Sequence, residues 1–402
     1  MFKHIPAYPG DPILSLFQAF QADSAPRKVN LSIGLYHDET GALPILSSVR
    51  KVAAKLAQQP TPHGYLPMEG LASYRLALQQ LVFGPDCMAL RDGRIATLQS
   101  VGGSGALRIG AEFLKRYFPD SGIWLSDPTW DNHRTLFAAA GLDVHTYPYY
   151  DAQLNRIRFD AMLATLQTLP ARSVVLLQPS CHNPTGMDLS HPQWQQLIEL
   201  ATQRGLIPFL DMAYQGFGDG LDDDAWPIRA MVEAGLPVIV SNSFSKNFSL
   251  YGERCGGLSI VCASKAEADA VLSQMQAAVR KNYSSPPLHG ARLVATVLND
   301  PALMQEWEQE IAAMRDRIRR MRGALRQRLE DALPGTSFEY LTTQRGMFSF
   351  TGLSPAAVDR LRTERGVYLL RSGRACMAGL NDANLDYVAD AMCDVLAPAT
   401  AA

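Results

Sequence analysis

Five short apolar runs, each emptying into glycine or polar residues, constrain this chain more than any other feature: Ile95–Leu98, Gly122–Ser126, Ser173–Leu177, Leu206–Leu210 and Pro237–Val240. Short apolar runs rich in Val, Ile and Leu read as strands buried on both faces. With helix-period stretches between them, they predict an α/β protein with a mainly parallel, right-handed central sheet flanked by helices. At 402 residues the chain exceeds one ordinary core, so a second, smaller α+β domain is expected. The expected division is 1–36 as an N-terminal arm and part of the small domain, and 37–305 as the large domain. Residues 306–402 then form an interdomain helix and the rest of the small domain.

Charge and cysteine usage exclude several classes. The formal net charge is −2, which gives no footprint for nucleic acid or an anionic membrane. No apolar run approaches the ~20 residues of a membrane span, and the prolines and Asp11 near the start break any secretory core. Six cysteines are scattered without a C-x-x-C pair, and the eight histidines include no H-E-x-x-H. A reduced, cytoplasmic protein without a metal site is expected.

The chemistry gathers where the strands end. After Ile95–Leu98 comes Val101-Gly102-Gly103-Ser104-Gly105-Ala106-Leu107, glycines opening a helix, whose free N–H groups suit a phosphate. The stretch matches neither the dinucleotide fingerprint nor the Walker pattern, and a tight turn without ligand is the plain alternative. Trp130 follows the second strand and is placed either to stack on a flat ring or to fill the core. His182 and Asn183 follow the third, as ligand contacts or as turn residues. Asp211 ends the fourth, with Tyr214 one turn on. An aspartate there suits a cationic ring nitrogen or caps a helix. The fifth ends in Ser241-Asn242-Ser243-Phe244-Ser245-Lys246, with Arg254 beyond. A partly desolvated lysine is a candidate imine-forming amine, and the serines and arginine beside it suit an anion. Each residue has an ordinary structural explanation, but the nine at one sheet edge, Gly103, Ser104, Trp130, Asn183, Asp211, Tyr214, Ser243, Lys246 and Arg254, do not have one together.

Elsewhere the pattern is plainer. Residues 13–20 and 46–58 read as helices and Val29–Tyr36 as a strand, with Gly34 permitting close approach. Pro9-Gly10-Asp11-Pro12 is a turn. Tyr65 sits in an irregular loop. Asn282-Tyr283-Ser284-Ser285-Pro286-Pro287 is a rigid turn where a cis proline is expected to be tolerated. Met304, Trp307, Ile311, Met314, Ile318, Met321 and Leu325 mark one long amphipathic helix, its arginines from Arg315 to Arg328 reading as a solvated face. Arg374, just past the strand Val367–Leu370, is placed to grip a carboxylate with a bidentate fork. The end is alanine-rich.

Six motifs together resemble the fold-type I pyridoxal-phosphate aminotransferases of the aspartate/aromatic subgroup: Gly102–Leu107, Cys181–Gly186, Asp211 with Ala213–Phe217, Ser243–Phe248, Asn282–Pro287 and Ser372–Arg374. Leu31–Tyr36 and Tyr65–Gly70 look nearer the bacterial tyrosine branch than the strict aspartate branch. The resemblance implies the PLP-dependent transferase fold, with pyridoxal 5′-phosphate held as a Schiff base to Lys246. That amine would also carry a proton between substrate and cofactor. Asp211 would keep the ring nitrogen protonated, Trp130 would stack on the ring, and Asn183 and Tyr214 would bond its phenolic oxygen. Gly102, Gly103, Ser104, Ser243, Ser245 and Arg254 would hold the phosphate, with Tyr65 arriving from a second subunit. A homodimer with shared active sites follows. Arg374 would clamp the substrate α-carboxylate, helped by Asn183, Trp130 and Gly34. Arg280, from the partner, would bind a distal carboxylate and move aside for an aromatic substrate.

Two positions depart from the pattern. Arg371 brings a second guanidinium near Arg374, and Gln178 stands where a histidine is common behind the ring. The expected reaction moves the amino group of tyrosine or phenylalanine, and of aspartate, to 2-oxoglutarate. An aspartate aminotransferase with little aromatic activity is the alternative. Elimination or decarboxylation on this scaffold is disfavoured by two carboxylate-binding arginines. A DNA-binding regulator lacks the extra segment it needs, and a nicotinamide enzyme lacks its fingerprint.

Overall fold

A computed structural model describes residues 1–8, 10–58 and 61–396; Pro9 of the expected N-terminal turn and the alanine-rich end lie outside them. The chain divides into two compact units, Pro44–Asp316 and Met1–Leu43 with the segment from Arg317 onward.

In chain order the strands are β1 (Val29–Asn30), β2 (Ile95–Val101), β3 (Ile123–Asp127), β4 (Val144–Pro148), β5 (Tyr150–Asp151), β6 (Arg156–Ile157) and β7 (Val174–Leu177). They continue as β8 (Ile207–Met212), β9 (Ile239–Ser243), β10 (Cys255–Val261), β11 (Phe348–Phe350), β12 (Val367–Tyr368) and β13 (Arg374–Cys376). The larger unit is built on a seven-stranded sheet in the order β2-β10-β9-β8-β7-β3-β4. Only β10 runs against its neighbours. Every residue of β7, β8, β9 and β10 is buried, as an interior sheet covered on both faces requires.

Alternation along β10 shows the two coverings. Leu258 lies in the core with Ala106, Ile109 and Leu114 of the helix Gly102–Tyr117. Its neighbour Gly257 points the other way, where an added Cβ would lie 2.4 Å from Leu78 of the helix Ala72–Phe83. Successive residues of a strand face opposite sides, so these helices sandwich the sheet. Among the described residues no helix is long and apolar enough to cross a membrane.

In the smaller unit β1 pairs in parallel with β12, and β11 antiparallel with β13. The expected strand Val29–Tyr36 stops after Asn30. The Asn30 side chain accepts from the backbone N–H and the hydroxyl of Ser32, a local bond that takes the backbone out of the ladder. Among the described residues the cis peptide bonds are Asp127–Pro128 and Asn183–Pro184, not at Pro286 or Pro287.

The helix Pro301–Ala332 carries 32 residues, as the apolar spacing requires, and Arg319, Arg320 and Arg328 are exposed as expected, but two of its arginines are not on a solvated face. Arg317 is 9 % exposed and Arg322 2 % exposed. Arg317 donates to His37 O, Leu380 O and Glu39, and Arg322 to the carbonyls of Leu341, Gly346 and Phe348. Guanidinium forks that meet several acceptors satisfy themselves inside the fold.

Candidate active site

Because β2, β9, β8, β7 and β3 are mutually parallel, their carboxyl ends share one edge of the sheet, and antiparallel β10 begins at that same edge. The register pairs Val101 with Cys255, which brings Gly102 against Arg254; Gly102 N–H donates to Arg254 O at 2.9 Å. Gly102 has φ +66°, and an added Cβ would lie 2.6 Å from Arg254 Nη2. A side chain there would occupy the space beside the guanidinium, so glycine is required twice over. Arg254 Nη1 donates to Ser245 Oγ at 3.3 Å and Tyr251 O at 3.0 Å. Gly103 packs on Ser243, whose Oγ accepts from Ser245 N–H at 3.3 Å. The helix Gly102–Tyr117 starts with no side-chain cap on its N–H groups. Helix-terminal N–H groups, the hydroxyls of Ser104, Ser243 and Ser245 and one guanidinium thus form an anion cradle.

Beside it, β8 ends with Asp211, 7 % exposed, whose carboxylate accepts from His133 Nε2 at 2.9 Å. The Thr129 hydroxyl bonds His133 Nδ1 at 2.8 Å, and the Trp130 ring meets the same imidazole edge-on at 5.2 Å. His133, fully buried, thus holds both Asp211 and the indole. Sequence reasoning missed it. The available signal was its place three residues after Trp130, on the same face of the helix Asp131–Ala139.

Asn183 is held by its neighbours. Its N–H donates to Gln178 Oε1 at 2.8 Å, and Gln178 Nε2 returns a bond to Asn183 O at 3.1 Å. The departure at Gln178 therefore fixes the asparagine loop rather than standing behind Asp211. Asp188 accepts the N–H groups of Cys181 and His182 at 2.7 and 2.8 Å. His182 holds the turn: Nε2 meets Ser126 at 2.9 Å, Nδ1 meets Thr185 at 2.8 Å, and Tyr149 stacks on the ring at 4.1 Å. Burial, reinforced by His133, pushes its pKa down to about 3, so it is neutral.

Lys246 follows β9, next to β8, with Nζ 5.1 Å from the centre of the Tyr214 ring. The two loops are tied together, since Asn247 Nδ2 donates to Gln215 O at 3.2 Å and Trp307 Nε1 to Asn247 O at 2.8 Å. Asp224 gathers the N–H groups of Gly216, Gly218 and Asp219, and burial raises its carboxyl to about 6. Asp224, absent from the sequence reading, thus holds the loop that follows Tyr214.

In the smaller unit Arg374 is 3 % exposed. It donates to Ser32 O at 2.7 Å and lies 4.3 Å over the Phe348 ring. Gly34 packs on that ring. Arg371 does not bring a second guanidinium to this place; it is 69 % exposed and paired with Asp359 at 2.8 Å. Tyr65 is 97 % exposed, and Arg280 is exposed and donates to Ser284 Oγ at 2.6 Å. Neither is hydrogen-bonded to the cradle within one chain.

An anion cradle, a buried carboxylate linked through His133 to an indole and an amine on the next strand end mark an α/β enzyme with a site suited to a phosphorylated ring. The chain belongs to the family described as aminotransferase class I and II, whose profile matches residues 26–392. It is 57 % identical over 399 residues to the aromatic-amino-acid aminotransferase of Escherichia coli K12, covering 98 % of this chain and all of that one. The aspartate aminotransferase of Pseudomonas aeruginosa is 48 % identical, covering 98 % of this chain and all of that one. An aromatic amino acid aminotransferase from Burkholderia cenocepacia superposes with a TM-score of 0.95 at 56 % identity, over 98 % of this chain and 99 % of that one. That of Burkholderia pseudomallei, covalently bound to pyridoxal phosphate, gives 0.96 at 49 % identity, with the same coverage.

Proposed function

We propose that the protein is an aromatic-amino-acid aminotransferase with pyridoxal 5′-phosphate as cofactor. It moves the amino group of tyrosine or phenylalanine, and of aspartate, to 2-oxoglutarate in a ping-pong exchange. The observation that carries this reading is the placing of Asp211 and Lys246 on adjacent strand ends beside an anion cradle. The residues fit the cofactor: the space a Cβ at Gly102 would fill is framed by Arg254, and the donors around it match a phosphate dianion.

When bound, the cofactor supplies a carbonyl carbon for imine chemistry and a ring that withdraws electrons from the substrate α-carbon. Lys246 would be the residue that holds it covalently, and its amine would take the substrate α-proton and return it. Asp211, oriented by His133, holds the proton on the ring nitrogen. Trp130 would cover the ring face, and Asn183 and Tyr214 would hold the phenolic oxygen. Arg374 takes the substrate α-carboxylate, with Gly34 lining its pocket. The segment Pro44–Asp316 is then the cofactor-binding domain.

The exposure of Tyr65 and Arg280 in one chain supports a homodimer in which each serves the neighbouring site, Tyr65 at the phosphate and Arg280 at a distal carboxylate. Six free thiols, four of them buried, suit the reducing cytoplasm. An aspartate-preferring enzyme is the second reading, favoured by the presence of Arg280.

Borohydride reduction followed by peptide mapping should leave a pyridoxyl group on Lys246. A panel of amino donors with 2-oxoglutarate should then give tyrosine a kcat/KM at least equal to that of aspartate. A tag on another lysine would sink the site assignment; a tyrosine rate far below aspartate would move the protein to the second reading.

A further inference from the structure

We infer that Phe348 is a positioning residue for Arg374, and that Gly34 is small because it must admit the Phe348 ring. A carboxylate clamp needs its guanidinium held in one plane, since both N–H···O bonds form only when fork and carboxylate are coplanar. Arg374 Nη2 donates to Ser32 O at 2.7 Å, which fixes one corner of the fork. The Phe348 ring bears on its plane: Arg374 Cζ stands 4.3 Å from the ring centre, where a cation is attracted to the π face and a flat guanidinium packs best parallel to it.

The ring is itself fixed. Phe348 lies on β11, paired with β13 so that Phe348 faces Cys376 and Phe350 faces Arg374. Gln344 accepts from Phe350 N–H at 3.1 Å and donates to Phe350 O at 3.2 Å. Arg322 donates to Phe348 O. The strand is therefore pinned by β13, by a buried guanidinium and by an amide.

Gly34 closes the arrangement. A Cβ there would lie 2.8 Å from Phe348 Cζ, closer than packed carbons come, so alanine at 34 forces the ring toward another position. Its glycine is thereby explained by a contact with the ring.

The inference rests on Arg374 binding the α-carboxylate, and the experiment separates the two. The probe is 3-phenylpropanoate, which has one carboxylate and no amine to react, titrated calorimetrically into the holoenzyme. Phe348→Leu and Phe348→Met remove the π face but keep an apolar side chain; Phe348→Tyr keeps the face. Unchanged far-ultraviolet circular dichroism and cofactor absorbance identify the folded holoenzyme. The Leu and Met variants should bind the probe roughly tenfold more weakly, with a matching rise in KM for tyrosine, and the Tyr variant within about twofold of the parent. Gly34→Ala should weaken binding in the parent and much less in the Phe348→Leu background, because the effect passes through the ring. Arg374→Lys tests the underlying reading: parental affinity there overturns the carboxylate role itself. Loss with Arg374→Lys but parental affinity in both the Leu and Met variants overturns the role of Phe348. Equal Gly34→Ala effects in the two backgrounds overturn its link to Gly34.

Discussion

His133 sets the character of Asp211, because a carboxylate 7 % exposed holds its charge only with donors close by. The imidazole at 2.9 Å is one such donor, and Phe in its place keeps the shape while removing the bond. His133→Phe is expected to lower kcat/KM by roughly 30-fold, the kinetic equivalent of about 2 kcal/mol for a bond to a charged group. The purified variant should also lose cofactor faster on dialysis. Steady-state kinetics within twofold of the parent would remove His133 from any part in the chemistry. Arg280 is the complementary case: exposed and bonded to the Ser284 hydroxyl, it is accessible to a distal carboxylate. Arg280→Ala should cut kcat/KM for aspartate by roughly 100-fold, an ion pair's worth, and for tyrosine by less than about tenfold. Equal losses would deny it a separate role. Lys246 and Asp211 were legible in the sequence because each directly follows an apolar strand. His133 was not, since its meaning comes from β8, far along the chain, and only the three-residue step from Trp130 hinted at it.

At the scale of the element, the helix Pro301–Ala332 shows how far a hydrophobic pattern reaches. Its stripe predicted the helix, but the arginines were assigned to water by residue type alone. Position mattered more: Arg322 lies four residues after Ile318 and three before Leu325, on the buried stripe itself. There its guanidinium donates to the carbonyls of Leu341, Gly346 and Phe348. Removing it strands several acceptors out of reach of water. Arg322→Ala should therefore lower unfolding stability by about 3 kcal/mol. Arg328→Ala, which breaks a mostly exposed pair with Asp386, should cost less than about 1 kcal/mol. Urea titration of both variants decides it, and equal midpoints would mean the buried fork contributes no more than the exposed one. The strand expected over Val29–Tyr36 failed for a related reason. Apolar alternation does not reveal that Asn30 will bond the Ser32 backbone and end the ladder after two residues.

For the whole molecule, the larger unit depends on a wall of neutral, buried polar side chains behind the site, and that dependence has a pH signature. His182 is 1 % exposed, enclosed by Ser126, Thr185 and the Tyr149 ring. The titratable groups nearby are Asp188, whose carboxylate accepts from the His182 backbone N–H, and His133. Burial first, and His133 second, hold its pKa at about 3 against the ordinary 6.5. Between those two values the unfolded chain binds a proton that the folded chain refuses, so stability rises with pH through this window. The contribution is fully present above 6.5 and is lost as the pH falls, by up to about 1.4 kcal/mol per unit. Glutamine at 182 keeps an amide for Ser126 but does not titrate. Between pH 7.5 and 5.5 the His182→Gln holoenzyme should accordingly lose roughly 1 kcal/mol less unfolding free energy than the parent, even if it is less stable at both. Parallel losses in the two proteins would show that His182 already carries its proton in the native state. The polar wall would then have to be charged, a state that its two hydroxyl partners and stacked ring are poorly built to hold.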